Sequence, residues 1–189
     1  TRVRSSAASD VYKRQGISGF VMKPTIDLEP VFFGGTGFDS ANQDMPGSLP
    51  ERFEFGTMNT IGVVGLNASV KWILQQGINN LAAAELKNRA RLIEILNEYD
   101  FISVVGNCDG RDYVGIVSCV LNDISSDTAG QLFSERNISV RTGLQCAPAA
   151  HRFLNTFPAG TVRFSVNCFT TDEDFDVLRE ALDDLSLIH

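Results

Sequence analysis

The hydrophobic period of this chain changes from helical to strand spacing near Tyr99, and that change limits the fold more than any other feature. Before it, 60–76 and 80–99 carry apolar residues at helical spacing, the second with Leu81, Leu86, Ala90, Ile93 and Leu96 on one face. After it, 101–105, 113–121, 138–141 and 161–166 read as strands, separated by helical patterns at 126–135 and 172–184. Helices and short strands interleaved in this order imply an α+β domain, with helices on one face of a mainly antiparallel sheet. The local punctuation agrees with these spans. Asn59 or Thr60 serves as N-cap of the first helix and Gly77 as its stop, and Ser125-Ser126-Asp127 opens the helix at 126. The two long helices are expected to pack and to connect domains, with Trp72 in a core. The nearly unbroken apolar run of 113–121 suits a strand covered on both faces. Upstream, 19–23 reads as a short strand.

With 189 residues, 43% of them hydrophobic, the chain can form one compact domain, or a small domain plus part of another. A formal net charge of −7 argues against a nucleic-acid or membrane-surface partner. No apolar run approaches the roughly 18 residues of a spanning helix, and no signal peptide is evident. The four cysteines are widely spaced and there are two histidines, so no metal site is expected. Cytosolic thiols are the simpler reading. Cys119 is read as core, Cys108 as a loop thiol in the 107–110 turn, and Cys168 as core or loop packing.

The stretch that invites chemistry is Arg141-Thr142-Gly143-Leu144-Gln145-Cys146-Ala147-Pro148, followed by His151 and by Gly160-Thr161-Val162-Arg163-Phe164-Ser165. A cysteine in an intracellular protein is more often a small buried hydrophobe than a nucleophile. Three features favour chemistry here. Cys146 follows Leu144-Gln145 instead of a β-branched apolar run, backbone breakers bracket it, and arginines stand on either side in sequence. A thiolate near a guanidinium fork suits a small amino acid or other carboxylate as substrate. The glycine-rich loop 34–37 can cradle a phosphate, and is as often an ordinary tight turn.

These segments, together with F-F-G-G-T-G at 32–37 and E-F-G-T-M-N-T at 54–60, resemble the C-terminal part of a cysteine desulfurase of the class V aminotransferase group, over residues 15 to 184. The resemblance implies the type I aminotransferase fold, with pyridoxal 5′-phosphate as cofactor and a homodimeric, cytoplasmic parent enzyme. It implies that Cys146 takes the sulfur of L-cysteine, or of a related small amino acid, as a persulfide and that alanine is released. Arg163 would bind the substrate carboxylate and Arg141 would assist it or orient the loop. His151 would act either in proton transfer or as a structural hydrogen-bonder. Thr57, Gly56 and Thr36 would bind the cofactor, the Gly-Thr pair reaching the phosphate of the partner subunit. The sulfur acceptor, protein or small thiol, is not implied. Leu144 and Gln145 depart from the pattern, standing where related enzymes often have one or two histidines.

Residues 1–14 match nothing in the family, and like 185–189 are expected to be non-native leader and tail; 15–78 is read as a remnant of the large domain with an interdomain helix, and 79–184 as the C-terminal small domain. Gln15 to Phe20 resembles the end of the turn that follows the Schiff-base lysine. The matching positions fall near Ser9 and Asp10, and Lys13 is too close to the turn, so that lysine is expected to be absent from this chain. Such a fragment would be inactive alone, and 16–60 would expose apolar area. Two other readings stay open: a selenocysteine lyase or aminotransferase-like relative in which Cys146 tunes substrate choice, and a non-catalytic interaction domain.

Overall fold

The computed structural model describes residues 4–5, 16–107 and 112–187. The expectations for Ser9, Asp10, Lys13, Gln15 and Cys108 fall outside the described residues. The chain divides into two compact units, Thr1–Gln75 and Gln76–His189.

In the first unit, β1 (Arg4–Ser5) pairs antiparallel with β2 (Phe20–Val21), so part of the stretch set aside as leader joins a strand pair. A 3-10 turn follows at Glu51–Phe53, and then α1 (Thr60–Gln76). Asn59 is the residue that caps α1: its side-chain oxygen accepts from the backbone N–H of Gly62 at 2.9 Å. Little of this unit is buried. Phe32 is 68% and Phe33 70% exposed, and Gly62 is the buried residue of α1, where Ile61 and Leu74 stand in the open. Trp72, expected in a core, lies on the accessible side of α1. Helical periodicity records that a face is apolar, not that something within the unit covers it.

The second unit is an antiparallel four-stranded sheet in the order β3-β4-β6-β5. Its strands are β3 (Ile102–Val105), β4 (Ile116–Leu121), β5 (Arg141–Gly143) and β6 (Thr161–Ser165). Four helices accompany them: α2 (Ile78–Leu96), α3 (Ser126–Glu135), α4 (Pro148–Phe153) and α5 (Asp172–Ser186). Val117, Cys119 and Leu121 of β4, with Val162 and Phe164 of β6, point to one face of the sheet. There they bury against Leu92, Ile95 and Leu96 of α2, Ala129 and Phe133 of α3, and Phe175, Leu178 and Leu182 of α5. Phe133 meets Phe164 edge-on at 5.2 Å between ring centres. This is the expected α+β arrangement, helices on one face of an antiparallel sheet.

Boundaries and burial differ in places from the sequence reading, as at β4, which starts at Ile116 instead of 113, and at α2, which spans Ile78–Leu96 instead of 80–99. The strand expected at 138–141 forms instead at Arg141–Gly143, because the residues before it run on from α3: Ile138 donates its N–H to the carbonyl of Phe133 at 2.9 Å, and Asn137 takes a positive φ of 59°. β4 alternates between buried and partly exposed side chains instead of being covered on both faces. α5 continues through Ser186, with Leu185 only 1% exposed in the core, so the helix runs past the boundary drawn at 184.

α5 starts at a capping box. Thr171 Oγ1 accepts from the N–H of Asp174, and the Asp174 carboxylate accepts from the Thr171 N–H at 2.8 Å and hydroxyl at 2.9 Å. These bonds, the backbone one first, hold the Asp174 carboxyl below its ordinary value of 3.8. A depressed carboxylate stabilises the fold above its unfolded pKa and stops doing so as pH falls through the folded one. Asp174→Ala is therefore expected to lower the melting temperature at neutral pH, with a difference from wild type that closes as the pH is taken below 3.8. In the core, Phe133→Ala removes a side chain of 0% exposure and is expected to cost about 3–5 kcal/mol, read from urea unfolding.

Candidate active site

The face of the sheet opposite the helices carries the candidate site. Side chains alternate along a strand, so burying Val162 and Phe164 against the helices sends Thr161 and Arg163 to the other face. Across the ladder Arg141 lies directly opposite Arg163, and Ser118 stands opposite Arg163 on its other flank. Two half-buried guanidinium groups thus share one cross-strand position, an arrangement disfavoured between like charges unless an anion lies between them. The Nε of Arg163 is buried and has no hydrogen-bond partner.

β5 feeds directly into the cysteine turn. Gly143 takes φ +84°, and then Gln145 at 51° and Cys146 at 61° adopt the left-handed region consecutively, which non-glycine residues rarely do. The turn closes with the Ala147 N–H donating to the Leu144 carbonyl at 2.9 Å, and Pro148 begins α4. Cys146 is left exposed at its tip. Such a turn stores roughly 1–3 kcal/mol per strained residue and persists only where its surroundings hold it. Two supports are visible. Gly160, at φ +76°, approaches Gly143 so closely that an added Cβ would lie 2.3 Å from the Gly143 carbonyl carbon. The Gln145 Nε2 donates to Thr161 Oγ1 at 3.2 Å and reaches the Arg141 carbonyl at 3.5 Å.

His151 sits in the last turn of α4, 6% exposed, its Nδ1 2.7 Å from Thr156 Oγ1, while the Thr156 N–H donates to the His151 carbonyl at 2.9 Å. A buried imidazole with its ring nitrogen on a neighbouring hydroxyl ties α4 to the segment that returns toward β6. Cys119 is 0% exposed, and burial pushes its thiol up to about 12. Among the described residues, no group of three or more His, Cys, Asp or Glu could hold a metal ion, and no helix is long and apolar enough to cross a membrane.

In the first unit, Thr36, Gly56 and Thr57 line one hollow together with Gly35 and Gly37. The Gly56 N–H donates to the Gly35 carbonyl at 2.8 Å, joining the two glycine-containing loops. Gly56 at φ +80° and Gly37 at +70° require glycine for their backbone conformation. Threonine hydroxyls and glycine backbone are donors suited to a phosphate, so the residues present fit that part of the cofactor. Glu54 is also at the rim, and no lysine lines this hollow.

Sequence reasoning did not single out Gln145 or Thr161 as partners, nor the six-residue helix α4. Pro148 after the cysteine was the available signal for that helix start.

The model of the aminotransferase class-V family matches residues 12–178, and the chain belongs to that family. It is 29% identical over 164 residues to a probable cysteine desulfurase of Methanothermobacter thermautotrophicus, covering 85% of this chain and 40% of that one. It is 30% identical over 182 residues to a probable cysteine desulfurase of Haemophilus influenzae, covering 94% of this chain and 40% of the relative. The fold matches the apo structure of a cysteine desulfurase from Thermococcus onnurineus NA1 with a TM-score of 0.68 and 27% identity, over 74% of this chain and 34% of that one. The chain thus spans about 40% of the length of these curated relatives.

The surface geometry separates the thiols. Iodoacetamide is expected to label Cys146 on the native protein while Cys119 stays unmodified up to about pH 9, becoming reactive only on unfolding, as peptide mass spectrometry would show.

Proposed function

We propose that this chain is the C-terminal part of a pyridoxal-phosphate-dependent cysteine desulfurase, which moves the sulfur of L-cysteine onto Cys146 as a persulfide and releases alanine. The observation that carries the reading is the Arg141–Arg163 cross-strand pair, on the strand that feeds the Cys146 turn and on its neighbour. An α-carboxylate placed between the guanidiniums relieves their repulsion and gives the buried Arg163 Nε an acceptor. Arg163 is the principal carboxylate ligand, and Arg141 shares the charge and anchors the start of the turn.

When bound, the cofactor supplies an electron sink at the substrate's α-carbon. The residues of this chain do the rest. Cys146 Sγ forms a bond to the substrate sulfur as the substrate's C–S bond breaks, and the three-carbon remainder takes up a proton at its former sulfur-bearing carbon to leave as alanine. His151, buried on Thr156, holds α4 in place and does not shuttle that proton. Thr57, Gly56 and Thr36 hold the cofactor phosphate, in a homodimer where the hollow serves the partner's cofactor. The Schiff-base lysine belongs to the part of the parent outside this chain, which is supported by the 40% span of the relatives. The acceptor of the persulfide is a thiol, protein or small molecule, in the cytoplasm, a compartment consistent with the free thiols of Cys119, Cys146 and Cys168.

In the intact parent, Cys146→Ala is expected to reduce enzyme persulfide to background while the cofactor absorbance is retained. Persulfide that survives the substitution would overturn the role given to Cys146.

A further inference from the structure

We infer that Gln145 is the positioning residue of the nucleophile: its side-chain amide clasps the cysteine turn to the neighbouring strand and so holds Cys146 in its left-handed conformation just beyond the strand that carries Arg141. The inference rests on the reading of Cys146 as the sulfur-accepting thiol. It starts from the backbone. Gln145 and Cys146 occupy the left-handed region in succession, at φ 51° and 61°, with no glycine to make that conformation easy. Pro148 at the start of α4 and the Ala147-to-Leu144 bond close a tight turn without choosing its hand, since a right-handed pair at 145 and 146 would close the same bond.

The clasp makes that choice. Gln145 Nε2 lies 3.2 Å from Thr161 Oγ1 and 3.5 Å from the Arg141 carbonyl oxygen. Thr161 is 2% exposed and fixed in β6 opposite Gly143, so it is a rigid acceptor. Arg141 is fixed in β5 opposite Arg163. The amide therefore refers the cysteine to both strands that carry the guanidiniums. A shorter side chain could not bridge them, and a carboxylate could not donate to the Arg141 carbonyl. The same bond is shielded by burial on its threonine side, which makes it worth more than a solvent-exposed one. Gln145 touches no reacting atom in this role. It acts through the position of Cys146, so its loss should lower the rate of the sulfur-transfer step while leaving carboxylate binding to Arg163 intact.

Two measurements test this. On the present chain, Gln145→Ala and Thr161→Val are each expected to speed hydrogen exchange of the Ala147 amide about tenfold, while the core amides of β4 keep their wild-type rates. In the intact parent the same variants are expected to lower kcat for persulfide formation about tenfold with KM within twofold of wild type, and the double variant should be no worse than Gln145→Ala alone, because the bond lost with Thr161 is one of the two lost with Gln145. Should Gln145→Ala fail to fold, the isosteric Thr161→Val carries the test. Unchanged exchange at Ala147 overturns the clasp, and so does an additive loss in the double variant or a rise in KM with kcat unaltered. A wild-type parent that forms no persulfide, with exchange at Ala147 still accelerated in the variants, would overturn the desulfurase reading and leave the clasp standing.

Discussion

The register of β5 on β6 is the constraint on which the rest of the second unit depends. Gly160 and Gly143 approach too closely for a side chain on Gly160, and this contact pins Gly143 opposite Thr161 and Arg141 opposite Arg163. A slip of one residue in β5 would turn Arg141 toward Ala129 and Phe133 of α3, on the side where Thr142 now meets Gly130, and bring Thr142 to the open face. The cost of burying a guanidinium among those side chains rules the slip out. The helix-covered face and the arginine face are thus two consequences of one register, and a core residue such as Phe164 has as much to do with the position of Arg163 as any residue on the site's own face.

Around that register the cysteine turn is a strained element held by polar contacts. Its backbone occupies conformations that only its surroundings make tenable, and the contacts that hold it come from β5 and β6. The short helix α4 closes the other side, with His151 turned inward to Thr156. The result leaves Cys146 exposed while its neighbours are fixed, which suits the sulfur-accepting role proposed for it. Cys119, two strands away in the sheet order, shows the contrast: the same side chain under the helices is a packing residue with its thiol pushed up to about 12.

The first unit presents the opposite balance. Its glycine loops meet to form a hollow with two threonines, yet its aromatic residues and one whole helix expose apolar surface. Periodicity in 60–76 was legible because it is local, whereas the covering of Trp72 and Leu74 depends on what lies against them. The expected burial of Trp72 therefore does not appear within this unit.

Much of the architecture was determined by the amino-acid sequence alone. The switch of hydrophobic period at Tyr99, the Asn59 and Ser125 caps, and the span of α3 are properties of neighbouring residues, and the backbone follows them. Cys146, Arg141 and Arg163 were also readable as candidate groups around a breaker-rich loop. What only the tertiary structure decided is which of these groups face one another. The opposition of Arg141 and Arg163, the seat of Gln145 on Thr161 and the burial of His151 join residues 5 to 22 positions apart, across a sheet whose register is set by packing on its far face. β5 itself moved from 138–141 to Arg141–Gly143 for the same reason: strand propensity is local, but a strand begins where its partner stands.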